Sequence, residues 1–353
     1  MKRTGVIYSP KYLNHKTGWN HPDSPKRLEV IFREMKCSGI LDKEECAVIK
    51  PEPARTSDLT LVHKPEHIEL VRQCCASGGG LLDIGDTIVC SESFEVALLA
   101  AGGAVKAVDL VMAGKLRNAF ALIRPPGHHA GSYYAMGFCV LNNVAVAASH
   151  LLQHAEVDRV LILDIDAHHG NGTQEIFYNT NEVLYISLHQ DPTIFPQAGF
   201  PEEVGEEKGL GYTVNIPLPF HTDDQTYLQA FSQIVPPIVQ QYRPQFTLIS
   251  IGFDTHYADP VGELSLSMYG ILEVFTKILK LADKFSKAKL VAVLEGGYSL
   301  RFLGRMATAA VARMAGVRYQ IQDKRPATRP RISKQAKEII EDLRKKQSMF
   351  WDF

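Results

Sequence analysis

The chain has 353 residues, with 38 Lys plus Arg against 39 Asp plus Glu and a formal net charge of −1. That length is ample for a sizeable core, in one large α/β domain or two smaller ones. The charge balance argues against a protein that grips nucleic acid through overall charge, and no run approaches the roughly 18 apolar residues that span a bilayer.

Lys2 and Arg3 resemble the start of a secretory leader, but the apolar stretch at 5–8 is too short for one and reads as a strand. Further β-branched runs occur at 59–63, 119–123, 160–165, 183–188, 212–216, 246–251 and 290–294. Most are separated by segments of helical periodicity, at 26–35, 65–75, 94–112, 228–241, 268–285 and 302–314. Such alternation predicts a parallel sheet covered by helices on both faces. With no internal repeat or convincing linker, a single α/β domain is the economical reading. Six cysteines, Cys37, Cys46, Cys74, Cys75, Cys90 and Cys139, show no paired metal-knuckle spacing and fit reduced thiols of a cytoplasmic protein.

Chemistry-bearing residues cluster where strands end. The loop at 14–27 carries His21-Pro22-Asp23-Ser24-Pro25, whose prolines forbid a helix before Pro25; it serves as a functional rim or as a rigid connection. The glycines at 78–80 read as a flexible turn, and Asp86 as a turn or capping acid before the long Ala-rich helix. Arg124-Pro125-Pro126-Gly127-His128-His129 follows the strand ending at Ile123, with stiffening prolines just before two imidazoles able to take and return a proton. In Asp164-Ile165-Asp166-Ala167-His168 the alternate residues Asp164, Asp166 and His168 share a face at a strand's carboxyl end, where open α/β sheets hold ligands. Two carboxylates and an imidazole together suit zinc or a similar divalent ion, although such residues also serve as helix caps or solvated loops. Ser187-Leu188-His189, Gly252-Phe253-Asp254 and Glu295-Gly296-Gly297-Tyr298 close three further strands. Phe138 and Phe195 either wall a narrow apolar channel or simply fill core, and Tyr298, behind two glycines, is placed to donate to a substrate.

These pieces in this order, RPPGHHA, MGFC, LDIDAHHGNG, SLH, GFDTHYADP and EGGY, closely resemble the zinc-dependent histone deacetylase family, including its acetylpolyamine and acetoin-utilisation relatives. The likeness covers nearly the whole chain to about residue 315, and implies an arginase/deacetylase-like fold with a central eight-stranded parallel sheet. It implies one catalytic Zn²⁺, with Fe²⁺ or Co²⁺ as substitutes, held by Asp166, His168 and Asp254. On the same resemblance His129 is general base and then acid, His128 is its electrostatic partner oriented by Asp164, and Tyr298 polarises the amide carbonyl. Gly137, Phe138 and Phe195 match the channel around an acyl-lysine stem, Asp86 a substrate-binding rim acid, and Arg27 an internal-cavity arginine. His21, Val261, Gly296 and Gly297 complete the expected substrate surroundings. A K⁺ or Na⁺ ion would fall at Asp164, Asp166, His168, Ser187 and Leu188, and a second near Phe177, Thr180, Val183 and Tyr212. Asn171 stands where one branch of the family has an aspartate; with His256 and the HPDSP loop it resembles the class II branch. An amide can orient His129 but cannot stabilise its imidazolium through charge.

The expected activity is hydrolysis of N-acyl amines, acyl-lysine in proteins or peptides first, an acetylpolyamine or other small amide second. Val261, apolar near the expected channel mouth, favours the former, although Glu92 or Asp191 could supply an acid from the loops. A binuclear arginase-type hydrolase would need more bridging carboxylates and two metals per chain, and a silent acyl-lysine binding module would not need the full set of reactive groups. Residues 1–319 read as the catalytic domain. Residues 320–353, with Lys324, Arg325, Arg329, Arg331, Lys334 and Lys337, read as a basic helical extension whose aromatic end, Met349 to Phe353, packs on the body or on a second subunit.

Overall fold

The computed structural model describes residues 3–353; Lys2, part of the leader-like start, lies outside them. Ten strands run in the order β1 (Arg3–Ile7), β2 (Cys46–Ile49), β3 (Gly79–Leu81), β4 (Ile88–Cys90), β5 (Leu116–Ala121), β6 (Val160–Asp164), β7 (Val183–Gln190), β8 (Thr213–Leu218), β9 (Phe246–Ile251) and β10 (Leu290–Leu294). The α-helices are α1 (Lys26–Cys37), α2 (Thr56–Leu59), α3 (Pro65–Ala76), α4 (Ser93–Met112), α5 (Asn143–His154), α6 (Asn171–Phe177), α7 (Asp224–Tyr242), α8 (Met268–Phe285), α9 (Leu303–Ala315) and α10 (Pro330–Gln347). Eight strands form one parallel sheet in the order β2-β1-β5-β10-β9-β6-β7-β8, and β3 and β4 make a separate antiparallel hairpin.

Every residue of β6, β7, β9 and β10 is buried, as strands rich in Val, Ile and Leu must be when helices cover both faces. Helices α4 and α5 pack together, while α1, α9, α8 and α7 pack in series. Helix α10 lies against α7 and β8; beyond it, the indole of Trp351 is buried and donates to the Gly211 carbonyl at 2.9 Å. Among the described residues, no helix is long and apolar enough to cross a membrane, and all six cysteines are free.

Some local expectations are corrected. The run at 59–63 is not a strand: α2 ends at Leu59 and turns follow, with Leu59, Val62 and His63 buried by packing alone. The eighth strand of the sheet is instead β2, a four-residue apolar edge strand that is only partly buried. Of the glycine triplet, Gly79 and Gly80 are not a flexible turn but part of β3, where a Cβ on Gly79 would meet the Val89 carbonyl oxygen at 2.3 Å. Asp86 does not cap α4, which begins at Ser93; it sits in the hairpin loop between β3 and β4.

The loop before α1 is tied beneath the sheet's carboxyl edge by charge. Asp23, fully buried, accepts from Arg27 Nη1 at 2.7 Å and from Arg124 Nε at 3.0 Å. Burial opposes its ionisation, but the two guanidiniums outweigh that and hold the carboxyl down at about 2. Its stabilising effect is therefore complete above the ordinary carboxylate range and is lost as pH falls toward that value. Asp23→Ala leaves two guanidiniums buried together, so urea unfolding at neutral pH is expected to show a loss of about 3–5 kcal/mol; a change below about 1 kcal/mol would show the trio to be energetically silent.

Candidate functional site

Four neighbouring strands, β5, β10, β9 and β6, send their carboxyl-end loops to one place. The loop after β6 carries Asp166 and His168, that after β9 carries Asp254, that after β10 carries Tyr298, and that after β5 carries His128 and His129. One ligand atom from each of Asp166, His168 and Asp254 lies within 4.8 Å of the others, and all three residues are buried. His168 Nδ1 is 3.1 Å from Asp254 Oδ2 and 3.3 Å from Asp166 Oδ1. The outer carboxylate oxygens are fixed from behind, Asp166 Oδ2 accepting from the Gly296 amide at 2.8 Å and Asp254 Oδ1 from the Ala167 amide at 3.0 Å. Only glycine fits at 296, because an added Cβ would lie 2.5 Å from Asp254 and 2.6 Å from Asp166 carboxylate oxygens.

Burial, and then the charge of Asp166, push the Asp254 carboxyl up from its ordinary range. Two adjacent buried carboxylates with one imidazole nitrogen between their inner oxygens, one of which, Asp166 Oδ1, is also held by the His168 amide at 2.9 Å, are the donor set of a divalent cation. The residues present therefore fit such an ion.

Beside this group the rings of His128 and His129 stand 4.0 Å apart. His128 Nδ1 is 3.0 Å from Asp164 Oδ2, which also accepts from the Tyr185 hydroxyl. Burial disfavours charge on His128, yet Asp164 and Asp166 outweigh it and hold the ring at about 10. His129 is the opposite case: burial, then the neighbouring rings of His128 and His168, hold it well below its ordinary value. Its Nδ1 is 2.8 Å from Asn171 Oδ1, and the Asn171 amide donates to Tyr134 at 3.1 Å. Two adjacent imidazoles are thus driven apart, one toward the cation and one toward the neutral base, which is how paired acid–base groups are told apart.

Asp86, His129, Gly137, Phe138, His168, Phe195, Val261 and Tyr298 line one cavity of about 230 Å³. Phe195 stands edge-on to His129 at 5.0 Å and Phe138 edge-on to Tyr298 at 5.7 Å. Gly137 has φ +55° and its Cβ would meet His129 at 2.6 Å, so a side chain here would close the channel. His21 touches the edge of Phe138 and bonds the Asp86 carbonyl at 3.0 Å, joining the rim from the first loop. Tyr298 is held by two contacts away from its hydroxyl. Its backbone N–H donates to Asp259 at 2.7 Å, and Arg27 lies 4.8 Å from its ring centroid. Arg27 itself is fully buried, donating to the carbonyls of Gly297 at 2.7 Å and Glu295 at 2.5 Å.

The β6–β7 register sets Asp164 opposite Ser187, with Leu188 next along β7 and Asp166 and His168 in the loop that follows β6. Phe177, Thr180, Val183 and Tyr212 gather at the amino end of β7 and β8 instead. His256 is kept from the cavity, bonded to Asp323 at 3.0 Å and stacked near Phe302.

Other members of the site carry weak sequence signals. Gln190, Ile194, Phe220 and Glu263 also line the cavity. Glu263 supplies the acid at the channel that Glu92, which only bonds its neighbour Ser91 near the start of α4, does not. Glu295, first residue of the EGGY turn, is buried and accepts from the Gly127 amide at 2.7 Å and the His128 amide at 3.2 Å, so it braces the loop that carries both histidines. Its signal was its place between a strand and two glycines.

A model of the histone deacetylase domain matches residues 21–314. A probable deacetylase of Archaeoglobus fulgidus is 43% identical over 297 residues, covering 84% of this chain and 82% of its own. A histone deacetylase-like amidohydrolase of Pseudomonas aeruginosa is 36% identical over 303 residues, covering 86% and 79%. The crystal structure of the HDA15 HD domain superposes with a TM-score of 0.89 at 34% identity, over 99% of this chain and 95% of that one. With the domain matched across most of its length and the sheet, strand-tip loops and cavity arranged as described, this chain belongs to the histone deacetylase family, whose domain is a hydrolase of amide bonds.

Proposed function

We propose that this chain is a zinc-dependent deacylase that removes acetyl or other acyl groups from lysine side chains in proteins or peptides. The observation that carries this reading is a cavity lined by His129, His168 and Tyr298, with Asp166 and Asp254 grouped around His168 behind it. Asp166, His168 and Asp254 would hold the ion, which when bound supplies Lewis acidity to the amide carbonyl and acidifies water.

The chain's own groups do the rest. Phe138, Phe195 and Gly137 sheath an extended alkyl stem and exclude bulk water, and Asp86 at the rim accepts from substrate backbone amides. His129, neutral through burial, takes the proton of the attacking water at one ring nitrogen while Asn171 holds the other. It then returns that proton to the leaving amine. His128, drawn toward the cation by Asp164, stabilises developing negative charge. Tyr298 donates its hydroxyl to the carbonyl oxygen as that oxygen gains charge. Asn171 in place of a carboxylate supports a class II-like assignment. A K⁺ or Na⁺ ion at Asp164, Asp166, His168, Ser187 and Leu188, and a second near Phe177, Thr180, Val183 and Tyr212, would be structural. Residues 1–319 form the catalytic body in this reading and 320–353 an extension, and the six free cysteines support a reducing, cytoplasmic location.

One observation favours a second substrate class: Glu263 and Asp86 line the same cavity, and acids near a channel select cationic acetylpolyamines. Parallel turnover of an acetyl-lysine peptide and acetylspermidine decides. The acyl-lysine reading expects the peptide to have the higher kcat/KM by at least about tenfold, a difference of about 1.4 kcal/mol, and Glu263→Gln to alter it by less than about threefold. Preference for acetylspermidine, lost on Glu263→Gln, would transfer the assignment to polyamines.

A further inference from the structure

Away from the catalytic channel, a second set of donors converges on the outer surface. His150 and His154 stand one turn apart on α5, on one face of the helix, with ring centroids 4.8 Å apart. Asp58, on α2, points between them: its Oδ1 is 3.0 Å from His150 Nδ1 and 3.9 Å from His154 Nε2. Ligand atoms around one ion with bonds of about 2.0–2.2 Å are separated by about 3–4 Å. Asp58 is buried and His150 nearly so, while His154 is half exposed at the edge of a cleft of about 450 Å³. The cleft is also lined by Arg55 and by Glu52 and Lys106, which pair with each other at 2.9 Å. Space for water therefore adjoins the open side of the group.

The hydrogen-bond inventory of His150 is what separates a site from an ordinary surface pair. Asp109 Oδ1 lies 2.9 Å from its Nε2, so both ring nitrogens face carboxylate oxygens. A neutral imidazole has one N–H and one lone pair. With Nε2–H given to Asp109, the Nδ1 lone pair is aimed at an oxygen of Asp58, a repulsive contact unless a positive charge sits between them. A second proton would satisfy that contact alone. It would not explain why His154 brings a further nitrogen to the same oxygen. A carboxylate holding the far nitrogen of an imidazole is also the device that fixes the tautomer of a metal-ligating histidine.

We propose that Asp58, His150 and His154 form a peripheral binding site for a divalent transition-metal ion, of the Zn²⁺ class by its two imidazoles and one carboxylate, with Asp109 orienting His150 and water completing the coordination. The i, i+4 histidine pair on a helix is a common zinc-binding element. An ion here clamps α2 to α5. Helix α5 starts at Asn143, beside Asn142, which bonds the Ala130 carbonyl next to the catalytic histidines; the ligands lie roughly 10–16 Å further along the helix. The site is thus separate from the channel, and joined to its histidine loop through α5 and through His63, just after α2, which bonds the Gly131 carbonyl at 2.9 Å.

The test counts zinc in the full-length chain. Wild type, His154→Ala, Asp58→Asn and Asp254→Asn are loaded with Zn²⁺, equilibrated against a weak chelator and measured by mass spectrometry, and the stripped proteins are titrated calorimetrically. His154 is exposed enough for its replacement to leave the fold intact, which a thermal melt in chelator checks. Wild type is expected to hold one more zinc per chain than His154→Ala or Asp58→Asn, with the affinity of that ion at least tenfold weaker in each variant and turnover of an acetylated peptide unchanged in His154→Ala. Asp254→Asn is expected to retain the ion that depends on His154. Equal zinc content in wild type and His154→Ala overturns the proposal, as does loss of both ions in Asp254→Asn, the behaviour of a single binuclear centre.

Discussion

Tyr298→Phe is expected to lower kcat on an acetyl-lysine peptide by about 10²- to 10³-fold, the usual consequence of removing one oxyanion donor, with KM and bound zinc nearly unchanged. The substitution deletes one oxygen and little else. The ring's place is set by contacts that phenylalanine keeps, namely Arg27 beneath it and Phe138 against its edge. The backbone at 298 is held by Asp259, which takes the amides of Tyr298 and Ser299 at 2.7 and 2.9 Å. The metal-ligand carboxylates are fixed by other amides, those of Gly296 and Ala167. Burial raises the phenol's proton affinity well above the ordinary value, so across the neutral range the hydroxyl is a donor and never an anion. An effect confined to kcat is the mark of an interaction made in the transition state. Undiminished turnover would remove Tyr298 from the mechanism, and a loss of zinc would reassign it to holding the site together.

How far the chain could be read before its fold was known depended on whether a residue's role is local or distant. Strands β9 and β10 were legible to the residue, since each is a short, fully buried and mainly apolar run cut off sharply, by Gly252 and by Glu295. The edge strand β2 was not, because Cys46–Ile49 is an apolar run of only four residues between charged segments, at the edge of the sheet and only partly buried. Leu59 and Val62 misled for the reverse reason: both are buried, one at the end of α2 and one in the turn after it, and burial alone does not specify extended backbone. The alternation argument for Asp164, Asp166 and His168 placed them in one region but missed their division. Strand β6 ends at Asp164, whose carboxylate turns to His128 and Tyr185, while Asp166 and His168 turn to Asp254. Glu263 and Phe220 were beyond sequence reasoning, since each reaches the cavity from a loop with no periodicity to report it. Asp23 was visible only as part of a proline-rich loop. Its importance lies in Arg124, 101 residues away, and no spacing rule links the two.

His129→Ala is expected to reduce kcat/KM by about 10²- to 10⁴-fold, the range for losing a positioned general acid–base group, while His128→Ala perturbs the site differently by removing a standing positive charge. The two rings have opposite electrostatic surroundings at nearly the same depth. His128 has carboxylates on two sides and is held at about 10, whereas His129 faces two other imidazoles and the amide of Asn171. A base must be unprotonated to act, and burial, aided by the neighbouring His128 and His168 rings, achieves that for His129. Asn171→Asp tests this directly. A carboxylate 2.8 Å from Nδ1, where the amide oxygen now stands, would stabilise the imidazolium and raise the ring's proton affinity. The acidic limb of the kcat/KM profile is therefore expected to move to higher pH in Asn171→Asp, and to be absent from the residual activity of His129→Ala. The variant's base is stronger but is occupied by a proton over more of the acidic range, so its activity relative to the natural chain rises with pH. An acidic limb that stays in place in Asn171→Asp would assign that titration to a group other than His129, and with it the proton transfer itself.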